Sequence, residues 1–297
     1  MRWGCVVLVG VICTAAVLDS TSADRSLALT GAPAEARTAD ARTSRPSAIL
    51  RLAVIGDFGD GSEAQAALGR QMCRWRKRNP FSIVLATGDN IYPDGSSRYF
   101  RSRFLEPYRC LHRRGVQWHA VLGNHDVMTE NGRPELSTPA FGMRGRNYLI
   151  RRRHVRMVFF DSNQPDLRWL RRALRTKADN RWTVVIMHHP VYSAGHHFPT
   201  PGFIPRLPRL FRRRGVDLVL AGHDHLYSES RRIHGIGYVI TGAGGAELHD
   251  CIERSFIRAC HSRTHFLYLT AGPRRIRVRA VDTDGEVFAR FRTRGLS

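Results

Sequence analysis

From Ile49 onward, short apolar runs rich in β-branched residues alternate with longer stretches of helical period. The run from Ile49 to Gly56 precedes a helical pattern from Glu63 to Arg78, the run from Ser82 to Thr87 precedes one from Ser97 to Arg114, and Val116 to Leu122 follows. Runs of this length and composition predict strands, the intervening stretches predict crossover helices, and the alternation specifies an α/β sheet. Further strands are expected at Val155 to Phe160, Thr183 to Met187, Asp217 to Leu220, Tyr238 to Ile240, Phe266 to Thr270, Arg275 to Val281 and Val287 to Arg292. Two more helices are expected at Asp166 to Lys177 and Ile204 to Arg214. The last two strands flank Asp282-Thr283-Asp284-Gly285, a turn composition that predicts a hairpin. The second half should therefore be richer in antiparallel pairing, and no repeat of fixed period is present.

Before Ile49 the pattern changes. An apolar run from Trp3 to Leu18 follows Arg2 and ends in Thr21, Ser22 and Ala23, the layout of a secretory signal peptide over residues 1–23. The run is shorter than the roughly 20 apolar residues of a spanning helix. Ile12 stands where a lipid attachment at Cys13 would want a small residue. Residues 24–48 are rich in Ala, Thr, Ser and Arg and carry Pro33 and Pro46, which predicts a flexible leader. A single folded domain is expected over 49–297, in a protein that is secreted or periplasmic.

Cleavage after the signal leaves Cys73, Cys110, Cys251 and Cys260, an even number in a compartment that permits disulfides. Three pairings are possible, and proximity in the chain favours Cys73 with Cys110 and Cys251 with Cys260. The formal net charge of +22 is carried almost wholly by arginine and attracts polyanions. The arginines fall in scattered runs such as Arg151-Arg152-Arg153 and Arg212-Arg213-Arg214, with no recognisable nucleic-acid-binding module. They read as a solvated basic surface, and no dedicated nucleic-acid site is expected.

Candidate chemistry sits at the ends of the predicted strands. Five polar clusters each follow an apolar run: Gly56-Asp57-Phe58-Gly59, Gly88-Asp89-Asn90-Ile91-Tyr92, Gly123-Asn124-His125-Asp126, His188-His189-Pro190 and Gly222-His223-Asp224-His225. In open α/β sheets ligands bind at the carboxyl edge, where loops from several strands converge. Carboxylates, an amide oxygen, imidazoles and one phenol suit hard or borderline metals, and no cysteine is among them. Taken singly, each cluster is equally a turn, a helix cap or a strand end. All five in order, each behind a strand, form a consistent set.

That order, Asp57, Asp89, Asn124-His125, His188, His223-Asp224-His225, resembles the calcineurin-like metallophosphoesterase superfamily. Gly-Asp-Asn-Ile-Tyr with Tyr92 resembles the signature of purple acid phosphatases, of the small tartrate-resistant type. The resemblance implies a four-layer α/β/β/α sandwich holding one catalytic domain. It also implies Asp57, Tyr92 and His225 on a ferric ion, Asn124, His188 and His223 on a divalent ion (Fe, Zn or Mn), and Asp89 bridging the two. A carboxylate offers a bridge two oxygens and a charge that offsets cation repulsion, and phenolate is a hard donor for Fe(III). Such a pair binds phosphate oxygens and lowers the pKa of a bound water, giving a metal-activated hydroxide.

His125 is implied to bind phosphate or protonate the leaving oxygen, with His197, rivalled by His196, as a second histidine beyond the metals. Asp126 and Asp224 are expected to orient imidazoles from behind the ligands. His189 stands where the small type has tyrosine and competes with His188, and the segment from Gly244 to His265 departs from the family. The implied activity is acid phosphatase action on phosphate monoesters. The alternatives are a phosphodiesterase or nucleotidase with a Mn, Zn or Fe centre, and a non-catalytic polyanion-binding protein on a phosphatase scaffold.

Overall fold

The computed structural model describes residues 49–175, 181–200 and 202–294. The expected signal peptide and leader lie outside them. Thirteen strands form two sheets among the described residues. The first contains β1 (Leu50–Ile55), β2 (Ile83–Ala86), β3 (Gln117–Ala120), β11 (His265–Ala271), β12 (Arg275–Asp282) and β13 (Val287–Arg294), in the order β13-β12-β11-β1-β2-β3. The second contains β4 (Tyr148–Arg152), β5 (Val155–Phe159), β6 (Trp182–Ile186), β7 (Leu218–Ala221), β8 (Tyr227–Ser230), β9 (Gly237–Thr241) and β10 (Ile257–His261), in the order β10-β8-β9-β7-β6-β5-β4. Parallel pairing joins β1-β2-β3 and β5-β6-β7-β9, while β10 to β13 pair antiparallel throughout. The late part of the chain is thus antiparallel, as the hairpin predicts.

Helices are α1 (Glu63–Arg78), α2 (Arg109–His112), α3 (Arg133–Leu136), α4 (Leu167–Ala173) and α5 (Leu207–Arg213). α1 forms where expected because Ser62 Oγ caps it by accepting from Gln65 N, Glu63 stands in its first turn and Arg76, Lys77 and Arg78 stand in its last. The single helix expected from Ser97 to Arg114 is corrected. It breaks into a 3₁₀ turn (Ser97–Tyr99), a π turn (Arg101–Leu105) and α2. Pro107 lies at the break, where it lacks a backbone donor and disfavours helical geometry in Glu106. The helix expected to reach Lys177 ends at Ala173, and Thr176 and Lys177 lie outside the described residues.

Three apolar layers hold the four structural layers together. One lies between the sheets, where Leu52, Val54 and Leu85 of the first meet Val184, Leu220 and Val239 of the second. A second packs α1 and the broken helix on the first sheet through Leu68, Met72, Phe104 and Tyr108. The third packs α4 and α5 on the second sheet through Leu170, Leu207 and Phe211. This is the four-layer α/β/β/α sandwich. Disulfides join Cys73 to Cys110 and Cys251 to Cys260, both in the favoured pairing. No helix among the described residues is long and apolar enough to cross a membrane.

Candidate metal centre

The five clusters meet because their strands end together. Asp57 follows β1, Asp89 and Tyr92 follow β2, Asn124 and His125 follow β3, His188 follows β6, and His223 and His225 lie between β7 and β8. The exits are sharp. Asp57, Asp89 and His223 adopt positive φ angles of 54°, 48° and 72°, a region that costs non-glycine residues on the order of 1–3 kcal/mol each. Backbone and side-chain bonds hold them there: Asp57 N donates to Gly88 O (3.0 Å), and His223 N donates to the Asp57 carboxylate (3.0 and 3.1 Å). Side chains at Gly123 and Gly222 would run into the carboxylates of Asp89 and Asp57, so glycine at these two places lets the loops close on the acids.

Two groups of acceptor atoms result. In the first, Tyr92 Oη lies 3.2 Å from Asp89 Oδ2 and 3.0 Å from His225 Nε2, and His225 Nε2 lies 3.6 Å from Asp57 Oδ1. His225 Nδ1 donates to Glu247 O (2.7 Å); a carbonyl only accepts, so in the neutral ring Nε2 presents a lone pair. In the second, Asn124 Oδ1 lies 2.9 Å from both His188 Nε2 and His223 Nδ1, which are 3.2 Å apart. His188 Nδ1 donates to Thr87 O (3.0 Å), so its Nε2 also faces the amide oxygen with a lone pair. Asp89 joins the groups, since its Oδ2 also stands 3.5 Å from His188 Nε2.

Electrostatics repeat the geometry. Burial, and after it the Asp89 carboxylate, raises Asp57 well above the ordinary carboxyl range, and burial followed by Asp126 does the same to Asp89. Burial and then Asp57 and Asp89 push the Tyr92 phenol far up. Burial and neighbouring imidazoles drive His188 well down, His223 to about 3 and His225 to about 4. Burial presses the acids to keep protons and the imidazoles to lose them, because it disfavours the charged form of each. Cations placed among these atoms would favour the ionised oxygens against burial and would keep the imidazoles neutral, as burial already does. Asp57, Asp89 and His225 alone bring three ligand atoms within 4.8 Å of one another. The donor set therefore fits a metal pair.

Around the acceptors, His125 N donates to Asp89 Oδ1 (2.9 Å) and His125 Nδ1 donates to Pro93 O (2.7 Å), which leaves Nε2 free. Asp224 Oδ1 accepts from His197 Nδ1 (2.9 Å), so Asp224 orients this imidazole, whose ring lies 4.2 Å from that of His223. Burial would raise Asp224, but hydrogen bonds from Ser193 and His197 outweigh it and hold it below the usual range. His196 is exposed and lies by His249. His189 bonds Ser162 Oγ (2.8 Å), while fully buried His188 faces Asn124.

Asp126 has a different part from the expected one. Its carboxylate accepts from the amides of Gly123, Asn90 and Ile91 at 2.7–3.0 Å, and so ties the loop after β2 to the loop after β3 rather than orienting an imidazole. Asn90 and the buried Glu135 complete this tie through Asn90 Nδ2 to Glu135 Oε2 (2.9 Å). His249 is the residue that sequence reasoning missed. Its ring stacks on His225 at 4.2 Å, and its Nδ1 accepts from His225 N (3.1 Å). It lies in the divergent segment from Gly244, where no spacing relates it to the other histidines.

Known proteins resemble the chain in sequence and in fold. The calcineurin-like phosphoesterase family matches residues 50–227. Tartrate-resistant acid phosphatase type 5 of Oryctolagus cuniculus is 25% identical over 299 residues, covering 82% of this chain and 90% of that protein. Purple acid phosphatase 17 of Arabidopsis thaliana is 27% identical over 227 residues, 64% of this chain and 67% of that one. In fold, the purple acid phosphatase PPD1 of yellow lupin (Lupinus luteus) superposes with a TM-score of 0.70 at 18% identity, over 84% of this chain and 54% of that one. GAP50, the anchor in the inner membrane complex of Plasmodium, superposes with a TM-score of 0.73 at 17% identity, over 84% and 90%. With the family match running from β1 to the start of β8, across the strands whose ends gather the acceptor atoms, the chain belongs to the calcineurin-like phosphoesterases and is a hydrolase of phosphate esters.

Proposed function

We propose that the chain is an exported acid phosphatase that cleaves phosphate monoesters at an Fe(III) and divalent metal pair. Asp57, Tyr92 and His225 would hold the ferric ion, Asn124, His188 and His223 the divalent one (Fe, Zn or Mn), and Asp89 both. When bound, such a pair neutralises phosphate oxygens and supplies a nucleophile from water at mildly acidic pH. The observation that carries the reading is the meeting of Asn124 Oδ1 with two imidazole nitrogens at 2.9 Å, beside a phenol and two buried carboxylates. The phenol selects the hard ferric ion over a divalent one in the acidic half.

The protein's own groups do the rest. His125 is fixed through Pro93 O and aims Nε2 outward, where a protonated ring hands its proton to the leaving oxygen. His197, held by Asp224, presents its other nitrogen beside the divalent half and hydrogen-bonds a phosphate oxygen. Hydrolysis of an aryl phosphate by metal-loaded protein tests the reading, with Asp89→Ala as control; equal rates in both would remove it.

A second reading is a phosphodiesterase or nucleotidase. A cleft of about 560 Å³ opens beside His223, with His189, His197, Phe198 and Phe203 among its lining residues, and its aromatic side favours a bulky leaving group. A higher kcat/KM for a nucleotide than for a small alkyl phosphate would select it. The non-catalytic reading draws on the anchor protein of the same fold, and the complete set of acceptors counts against it.

A further inference from the structure

The arginine runs look scattered along the chain, but strand register collects arginines that the sequence keeps apart. β12 carries Arg275, Arg277 and Arg279 at alternate positions, and β13 carries Arg290, Arg292 and Arg294. The ladder sets Arg279 opposite Arg290, Arg277 opposite Arg292 and Arg275 opposite Arg294. The intervening Ile276, Val278 and Phe291 are buried between the sheets, which places the arginine positions on the outer face. Across β11 the same row continues through Thr270 to Arg51 on β1.

Like charges directly opposite on a sheet destabilise it. Nearby acids do not relieve them: among the described residues that line this face there is no Asp or Glu. Arg258, at its margin, is neutralised by Glu229 (2.7 Å). Arg279 lies over the Tyr268 ring (4.9 Å) and reaches Asn79 Oδ1 (3.4 Å). Arg51, Arg277, Arg290 and Arg292 are exposed.

The face is concave. A groove of about 940 Å³ lies between Arg258 on the β13 side and Arg78 and Pro80 on the β1 side. It is remote from the metal centre, because Arg51 is six residues before Asp57, roughly 20 Å along an extended strand. An ester seated here cannot reach the acceptor cluster, so this is not a substrate subsite.

We propose that this groove binds a single strand of nucleic acid by its phosphates, without reading the bases. Guanidinium groups match phosphate oxygens in a fork, and alternate arginines recur every ~6.7 Å along each strand, the scale of one phosphodiester repeat. The groove shape suits a chain and not a flat bilayer, and Ile49 is its one exposed large apolar side chain. Tyr268 and Phe291 are 2% and 3% exposed, so neither offers a face for base stacking.

The test is fluorescence anisotropy of a labelled oligothymidylate, and an oligodeoxyadenylate of equal length, with the purified protein across a salt series. Arg277→Gln, Arg290→Gln and Arg292→Gln together should weaken binding at least tenfold at about 50 mM salt. The slope of log affinity against log salt should become shallower by about 2, from three lost contacts at ~0.7 each in single strands. Arg209→Gln, Arg212→Gln and Arg213→Gln on α5 remove the same charge elsewhere and should change affinity less than about threefold. Both triple variants should keep aryl phosphatase turnover, and the groove variant should melt no lower than the parent, since it relieves like-charge pairs. Equal weakening by the two variants would assign binding to overall charge and overturn the proposal. So would an unaltered groove variant, or binding to phosphatidylserine vesicles without binding to either oligonucleotide.

Discussion

The two halves of the acceptor cluster differ in charge. Asp57 and Tyr92 bring ionisable oxygens to one half with a single imidazole, whereas Asn124, His188 and His223 bring only neutral atoms to the other. Asp89 stands between them, within 3.2 Å of Tyr92 Oη and 3.5 Å of His188 Nε2. A half with anionic oxygens stabilises a highly charged, hard cation and holds it through exchange, while a neutral half binds a divalent ion and releases it more easily. The asymmetry teaches that the proposed metals differ because the loops that carry them differ, and each variant below strikes one half or the link between them.

The link gives the largest effect. Asp89→Ala should remove both ions and lower turnover by roughly 10³-fold or more, because the one carboxylate that offsets repulsion between the two cations is then gone. His125→Ala should keep both ions and lose roughly 10²-fold to 10⁴-fold of turnover, the range of a lost general acid; loss of metal would contradict its place outside the ligand set. Brief dialysis against a chelator should strip the neutral half first, giving protein with one iron whose turnover returns on adding Zn or Mn. Release of iron before the divalent ion would reverse the comparison.

Tyr92→Phe should abolish the visible tyrosinate-to-iron absorption while Asp57, Asp89 and His225 still hold the ion, with turnover reduced by less than about tenfold. An unchanged spectrum would take Tyr92 out of the acidic half.

His265 serves as a control for burial alone. It is fully buried away from the cluster, and burial lowers it to about 4. The unfolded chain therefore binds a proton that the folded one refuses as pH falls from about 6.5. This contribution, up to about 3 kcal/mol, is whole above pH 6.5 and is lost as pH drops through 4. His265→Gln should flatten the stability profile in that window and leave turnover unchanged, and an unaltered profile would refute the assignment.

Strand ends were the legible part of the molecule. β1, β2, β6 and β7 are buried, largely apolar runs, and buried parallel strands announce themselves in composition, while β3 (Gln-Trp-His-Ala) is marked by the apolar residues that flank it, Val116 and Val121-Leu122. The polar residues directly after them were therefore readable as one site. β4 and β10 were not readable, because edge strands need bury little, and Ile257–His261 alternates no more clearly than a loop. β8 escaped for another reason: Tyr-Ser-Glu-Ser is buried throughout, with Glu229 satisfied by Tyr227 (2.6 Å) and Arg258 (2.7 Å), partners set by tertiary contacts. His249 and the tie made by Asp126 share that origin, since each depends on how loops pack and not on spacing. The same holds for the arginine pairs of β12 and β13, whose alternation is visible but whose opposition requires the register.

Anomalous diffraction from crystals of the metal-loaded protein tests the two-ion cage most directly. Two peaks should flank the Asp89 carboxylate, an iron peak against Asp57, Tyr92 and His225 and a second against Asn124, His188 and His223. A single peak, or peaks away from these side chains, would contradict the account.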